Sequence, residues 1–200
     1  MVQKNNRLKL GVEPRLDNSL LLGKYMLSLF GVQSLEELAS NMKSPNLEGW
    51  DEENVSYYCR VLCNQLERWA GMVRVEDVLR YDRHIYEYTL QINEYRQDKV
   101  IWKYFQWLEL LFTEVYLDKY FSDREGLVKD INRFRKNDFL QNNDYYTEPF
   151  FREITAEQLN KISVWCATGS GKTLMMHVNM LQLRYYADLH GMVYNNTLLI

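Results

Sequence analysis

The sequence has little cysteine, proline and histidine, and it has no excess of basic residues. Its 200 residues include three cysteines, three prolines and three histidines, with 24 lysines and arginines against 27 aspartates and glutamates. An odd cysteine count argues against a disulfide framework. The formal net charge of −3 excludes a domain that holds nucleic acid by charge alone, because such domains carry a clear basic excess.

Long apolar runs are also missing. No stretch approaches the roughly 20 apolar residues that a membrane helix needs, and residues 1–15 contain no apolar segment of the kind found in signal peptides. We therefore expect a cytoplasmic protein without a membrane-spanning segment. Apolar residues make up 46% and charged residues 26% of the chain, which is typical of a globular protein with a sizeable core.

The cysteines offer a metal site as one interpretation. Cys59 and Cys63 stand four residues apart, on one face of a predicted helix. A zinc site needs a second pair of ligands at comparable spacing, and the histidines at positions 84, 177 and 190 do not supply it. The pattern therefore favours buried thiols, which pack as small apolar side chains.

Helical periodicity dominates the chain up to about residue 135. Apolar residues recur every three or four positions over residues 20–30, 51–69 and 75–121, which predicts helices. Ser34 with Glu37, and Ser122 with Glu125, have the spacing of capping boxes at helix starts. The long segment 75–121 is predicted to form two helices with a joint near residues 97–99.

The aromatic residues of segment 81–120 have two interpretations. They could stack on nucleic-acid bases, but a stacking groove needs interleaved basic residues, which are sparse here. Aromatic residues at helical spacing more often form core, and we expect that here. A polar stretch rich in Asn and Asp, residues 136–149, then predicts a linker or a surface loop. We expect a helical N-terminal domain over residues 1–145 and the beginning of a second domain over residues 146–200.

The last fifty residues have a different pattern. A short apolar run, residues 162–166, predicts a buried strand; residues 172–190 predict a helix that Gly191 ends; residues 197–200 begin a second apolar run. Strand, helix and strand in this order form a βαβ unit, which implies a parallel sheet. The predicted fold is a mainly α N-terminal region followed by the start of an α/β domain.

Between the predicted strand and the predicted helix stands Cys-Ala-Thr-Gly-Ser-Gly-Lys-Thr, residues 166–173. The phosphate-loop pattern is Gly, four free positions, then Gly-Lys-Ser/Thr; here Gly171, Lys172 and Thr173 match, and Cys166 stands in place of the first Gly. Backbone N–H groups of such a loop, together with the following helix N-terminus, bind phosphate oxygens. In this chemistry Lys172 reaches the β- and γ-phosphates, and the Thr173 hydroxyl ligates Mg²⁺.

The segment Ala-Thr-Gly-Ser-Gly-Lys-Thr, residues 167–173, resembles motif I of superfamily 2 DEAD/DEAH-type helicases and translocases. Residues 150–200 look like the corresponding part of the R (Res) subunits of type III restriction enzymes. The resemblance implies a RecA-like domain that binds ATP and Mg²⁺, with phosphate contacts from Ala167, Thr168, Gly169, Ser170, Gly171, Lys172 and Thr173. It also implies catalytic roles for Lys172 and Thr173 and a Mg²⁺ ligand at Thr173.

The same resemblance implies partners and a larger protein. Double-stranded DNA is the expected substrate, contacted mostly by regions beyond residue 200, with a methyltransferase or specificity subunit as a further partner. The chain stops inside the second predicted strand, and the acidic Asp-Glu motif that follows motif I in this family cannot be placed after residue 173. We therefore expect an N-terminal piece of a longer enzyme, inactive in ATP hydrolysis by itself.

Several alternatives remain open from the sequence. Gln158 could read adenine as the glutamine ahead of motif I does in these enzymes, or it could complete a capping box with Thr155, which we favour. Phe150 and Phe151 could stack on adenine or anchor the linker. For the whole chain, the alternatives are a helical protein-interaction module with a vestigial or regulatory nucleotide site, and an RNA helicase.

Overall fold

The computed structural model describes residues 20–141, 153–164 and 166–192. Helices are the dominant regular element in these ranges. They are α1 (Leu21–Leu29), α2 (Leu35–Leu38), α3 (Tyr57–Leu66), α4 (Val75–Asn93), α5 (Tyr104–Ser122), α6 (Arg124–Gln141) and α7 (Lys172–Leu189), with two short 3₁₀ helices, Pro45–Leu47 and Ala156–Asn160.

Two of the predicted helix caps can be compared with the structure. Ser34 Oγ accepts a hydrogen bond from Glu37 N at 3.1 Å, which confirms the predicted cap of α2, although the Glu37 carboxylate bonds Gln33 N rather than Ser34 N. The predicted cap at Ser122 is wrong. Ser122 is the last residue of α5, and the following turn is capped by Asp123, whose Oδ1 accepts from Gly126 N at 2.8 Å.

The long apolar segment forms the two helices that its pattern predicts. Helices α4 and α5 are joined by residues 94–103, a range that includes the predicted joint. Asn93 Oδ1 accepts from Val100 N at 2.8 Å, and Trp102 Nε1 donates to Thr89 Oγ1 at 2.7 Å. These two bonds fold the joint back onto the end of α4, so the two long helices pack against each other.

The aromatic residues of α4 and α5 form core, as predicted. Those that are at most 5% exposed are Tyr81, Tyr88, Trp107 and Tyr116, together with Trp102 of the joint between the two helices. Among the described residues, the buried Tyr88 hydroxyl has no partner, whereas Trp107 Nε1 donates to the buried Asp82 Oδ1 at 2.7 Å. The Ser56 hydroxyl donates to the same carboxylate oxygen at 2.6 Å. A base-stacking platform needs exposed rings, and these rings are enclosed.

Helix α7 lies beside α5, and the two helices are parallel. Three side-chain contacts join them, Asn179 to Glu109, Gln182 to Glu114 and Tyr186 to Glu114. Residue numbers rise together along both helices, so their N-termini lie at the same end. Helix α4 packs against both, which places α7 in one continuous core with the helices that precede it.

The prediction of a parallel sheet, and with it a RecA-like α/β domain, is wrong for the part of the chain that the structure describes. That part contains no strand; its only pairing of β type is a single bridge between Trp50 and Ser56. Residues 161–164 carry no regular structure, and Ile162 and Val164 are each 43% exposed. Without a paired neighbour, an apolar run cannot form a ladder, and α7 buries its apolar face on α5 and α4 instead.

Other expectations fall outside the described ranges. Trp165, the second predicted strand at residues 197–200, and the pair Phe150 and Phe151 all do so. Helix α6 extends into the predicted linker, to Gln141. The division into residues 1–145 and 146–200 stays a prediction. In the ranges that the structure covers, no helix combines the length and apolar character that a membrane crossing needs.

Candidate phosphate-binding loop

Two glycines set the backbone of the candidate loop, residues 166–173. Gly169 has φ +79° and Gly171 has φ +83°, in the left-handed region that only glycine adopts without strain. Ser170 N donates to Ala167 O at 3.2 Å, which closes a tight turn. Gly171 then occupies the N-cap position of α7, which begins at Lys172 as predicted. The loop thus leads directly into an 18-residue helix.

The Lys172 side chain folds back over the loop. Its Nζ donates to Cys166 O at 3.0 Å and to Ala167 O at 2.9 Å. Both contacts lie at an exposed position, where a hydrogen bond contributes only about 1 kcal/mol. A phosphate group offers the ammonium a charged partner, which is stronger than a neutral carbonyl. The lysine is therefore held near the loop and can exchange these carbonyls for an anion.

The remaining predicted residues are accessible. Ala167, Thr168, Gly169 and Thr173 are exposed, and Ser170 is half-buried. Thr173 stands in the first turn of α7, where backbone N–H groups have no partner inside the helix. The described residues contain no group of three or more His, Cys, Asp or Glu side chains that could hold a metal ion. A single threonine hydroxyl is the kind of protein ligand that Mg²⁺ takes beside phosphate oxygens and water.

The electrostatics of this end of the molecule favour an anion. Because α5 and α7 are parallel, the positive ends of two helix dipoles lie near the loop. Neither helix has an acidic residue in its first turn. Lys103, the residue before α5, is paired with Glu48 at 2.7 Å, so its positive charge is largely compensated. Lys172 and the two helix ends offer positive charge to a ligand at the loop.

Gln106 contacts the loop from outside and was not identified from the sequence. Its Nε2 donates to Ser170 O at 2.8 Å, across 64 residues of chain, and its Oε1 accepts from Lys103 N at 2.8 Å. The position of Gln106 three residues into α5 is a capping signal that the sequence does contain. Its contact with the loop could not be found that way, because it depends on how α5 and α7 pack.

A groove of about 770 Å³ runs along α7 from Lys172. Its walls come from α5, α7 and the segment 159–164, and they are largely apolar. Near the loop, Asn179 Nδ2 donates to Glu109 Oε1 at 2.8 Å, while Glu109 Oε2 and Asn179 Oδ1 are buried without a partner. Burial raises the pKa of Glu109 above its usual range.

A buried polar network fixes α7 farther from the loop. Glu114 of α5 is fully buried and accepts from His84 Nδ1 at 2.9 Å, Gln182 Nε2 at 2.9 Å and the Tyr186 hydroxyl at 2.8 Å. Gln182 Nε2 also donates to Leu110 O at 2.9 Å. Burial is the main cause that raises the pKa of Tyr186, and the Glu114 charge adds to it. These contacts hold the helix behind the loop at a defined register on α5.

The structure shows the surroundings of Gln158 and of the cysteine pair, for which the sequence left alternatives. Gln158 Oε1 accepts from Thr155 N at 2.9 Å, which is the favoured capping contact. Cys59 and Cys63 have their Sγ atoms 3.8 Å apart; Cys59 is fully buried and Cys63 half-buried. Their hydrogen bond raises the pKa of Cys59 and lowers that of Cys63.

Comparison of the chain with protein-family models, with curated proteins and with solved structures finds no match.

Proposed function

We propose that the loop of residues 166–173 binds the phosphate groups of ATP together with Mg²⁺. The observation that carries this proposal is the combination of two left-handed glycines, a helix that starts at the following lysine, and a lysine ammonium that already lies over the loop. Backbone N–H groups and a helix N-terminus form the standard protein environment for phosphate oxygens.

Each residue has a defined role in this proposal. The N–H groups of residues 168–173 surround the phosphate oxygens, except that of Ser170, which donates to Ala167 O at 3.2 Å. Lys172 neutralises charge on the β- and γ-phosphates. Thr173 supplies the hydroxyl ligand of Mg²⁺. Bound Mg²⁺ would neutralise phosphate charge there. Gly169 leaves its side of the loop open, since a Cβ at this position would meet nothing within 4 Å.

More widely, we propose that the chain is the ATP-binding part of an ATP-dependent DNA helicase or translocase. Such a motor would be the restriction (Res) subunit of a type III-like restriction-modification system. Motif I, residues 167–173, supports it. The acidic balance of residues 1–150, with 20 basic and 24 acidic residues, fits DNA contacts made mostly elsewhere in such a protein. A methyltransferase or specificity subunit is the accompanying protein partner.

Nucleotide binding can be tested with the 200-residue chain. Titration calorimetry with Mg·ADP should give saturable binding, and Lys172→Ala should weaken it about tenfold or more, because a charge-assisted contact is lost. Lys129→Ala, at an exposed position of α6, is the matched control and should bind as the wild type does. The free energy of unfolding without nucleotide should fall by no more than about 1–2 kcal/mol in Lys172→Ala, because the two carbonyl contacts that it loses are exposed, and it should be unchanged in Lys129→Ala. Equal affinity of the wild type and Lys172→Ala would overturn the assignment.

A second candidate is a helical protein-interaction module with a vestigial or regulatory nucleotide site. It is favoured by the all-helical core of the described residues, in which α7 is integrated with α4 and α5. Under this hypothesis the helical region recruits a partner subunit, and the nucleotide site is either vestigial or a switch on that assembly. A partner subunit that co-purifies equally with the wild type and with Lys172→Ala would support a vestigial site, and one that is lost in Lys172→Ala would support a regulatory site. A chain that recovers no partner subunit would count against the interaction module.

A further inference from the structure

Among the described residues, one side chain of the helical region, that of Gln106, donates a hydrogen bond to the loop from outside. Gln106 uses both ends of its amide: Oε1 accepts from Lys103 N within the first turn of α5, and Nε2 donates to Ser170 O. Because the first bond fixes the amide, the second holds the Ser170 carbonyl at a defined position. The contact is partly shielded from water, so it is stronger than a bond at the open surface.

A held carbonyl also fixes the N–H group of the next residue. The peptide unit is planar and trans, so the Ser170 C=O and the Gly171 N–H point in opposite directions. With the carbonyl turned toward α5, the Gly171 N–H faces away from α5. Among the described residues, this N–H donates to no acceptor, and it precedes the unpartnered N–H groups of the first turn of α7.

Steric contact reinforces this arrangement. A Cβ built on Gly171 would lie 2.6 Å from Gln106 Nε2, well inside normal contact distance, whereas a Cβ on Gly169 would meet nothing. The glycine at 171 therefore serves two needs, a left-handed φ and the close approach of the Gln106 amide. The hydrogen bond and the missing side chain depend on each other.

We propose that Gln106 is a positioning residue of the nucleotide site, which orients the Ser170–Gly171 peptide so that the Gly171 N–H faces the phosphates. This inference rests on the proposed nucleotide binding. It assigns to the helical region a direct part in shaping the loop.

Two substitutions separate this role from helix capping. Gln106→Glu keeps an acceptor for Lys103 N, as a capping-box glutamate does, but cannot donate to Ser170 O. Gln106→Met removes both bonds without adding charge. Gln91→Glu, at an exposed position of α4, adds the same charge away from the loop and serves as the control.

Binding of Mg·ADP and of pyrophosphate should be weakened about tenfold in both Gln106 variants, the loss expected when one hydrogen bond to a charged group is made poorly. The Gly171 amide resonance gives a direct readout: it should shift on adding Mg·ADP to the wild type and shift much less in Gln106→Met. The Gln106→Glu defect should persist at 0.5 M salt, where a purely long-range charge effect is screened. Gln91→Glu should bind as the wild type does.

The outcomes are distinguishable from those of the proposed function. If the wild type binds and Lys172→Ala does not, but both Gln106 variants bind as the wild type does with an unchanged Gly171 shift, the positioning role is refuted and nucleotide binding stands. If the wild type shows no binding, the proposed function itself fails. A lower affinity in Gln106→Met with an unaltered Gly171 shift would assign Gln106 a purely structural role and overturn the inference.

Discussion

Replacing Glu114 tests whether α7 packs on α5 as described. Glu114→Leu keeps a similar side-chain volume but removes the acceptor of three hydrogen bonds. Two of the donors, on Gln182 and Tyr186, belong to fully buried residues. A buried donor without an acceptor costs about 1–3 kcal/mol, so the pair costs about 2–6 kcal/mol. The substitution also removes the desolvation cost of the buried carboxylate, which offsets part of this loss. We expect the free energy of unfolding to fall by about 3 kcal/mol.

The loss is measurable by urea unfolding at pH 7, followed by circular dichroism and tryptophan fluorescence. Glu87→Leu, at an exposed position of α4, is the matched control and should change the free energy of unfolding by less than about 0.5 kcal/mol. Adding Tyr186→Phe to Glu114→Leu removes the hydroxyl that has lost its acceptor, and should raise the free energy of unfolding by about 1 kcal/mol relative to Glu114→Leu alone. In the wild-type background, Tyr186→Phe should instead destabilise, because the carboxylate then loses a donor.

The reasoning would be refuted by a Glu114→Leu cost below about 1 kcal/mol, which is too small for stranded buried donors. It would equally be refuted if Tyr186→Phe were destabilising by the same amount in both backgrounds. Either result would mean that the hydroxyl of Tyr186 and the carboxylate of Glu114 are not partners. The helix behind the loop would then lie elsewhere.

Two further predictions concern the loop and the groove. Gly191→Ala should lower the free energy of unfolding by about 1 kcal/mol, because of its left-handed φ of +66° alone. Gly171→Ala should lower it by about 1 kcal/mol more, because the added Cβ also displaces the Gln106 amide. Equal losses for the two variants in thermal unfolding would contradict the close contact between Gly171 and Gln106. Burial raises the pKa of the Glu109 carboxyl in the folded protein, so the folded state binds this proton more tightly than the unfolded state does. The free energy of unfolding therefore falls as the pH rises from about 4.5 through the raised pKa. Glu109→Gln should therefore be stabilising at pH 7, by an amount that shrinks toward pH 4; a stability difference that does not vary with pH would rule out a buried, perturbed carboxyl.

Local features were predictable where the signal is short in range. The cap of α2 follows from Ser34 placed three residues before Glu37, and the start of α7 follows from the glycine and lysine at 171 and 172. The left-handed glycines of the loop follow from the motif itself. Each depends on residues within about four positions, so the sequence carries the information directly.

The predicted strand failed for a different reason. Ile162 and Val164 have the apolar character of a strand, but a strand exists only with a hydrogen-bonded neighbour, and the described part of the chain offers none. A short apolar run between turns does not reveal what it will pack against. In the structure, helix α7 packs its apolar side chains against α5 and α4.

The sequence by itself determined the helices, their aromatic core and the phosphate-loop motif, because periodicity, capping residues and glycine positions act locally. Only the tertiary structure decided that α5 and α7 lie parallel. That arrangement brings two helix N-termini to one end of the molecule and places Gln106 within hydrogen-bonding distance of Ser170. It also lets Gln182 and Tyr186 donate hydrogen bonds to Glu114. These contacts connect residues 64 to 72 positions apart, and they depend on which helix faces bury each other.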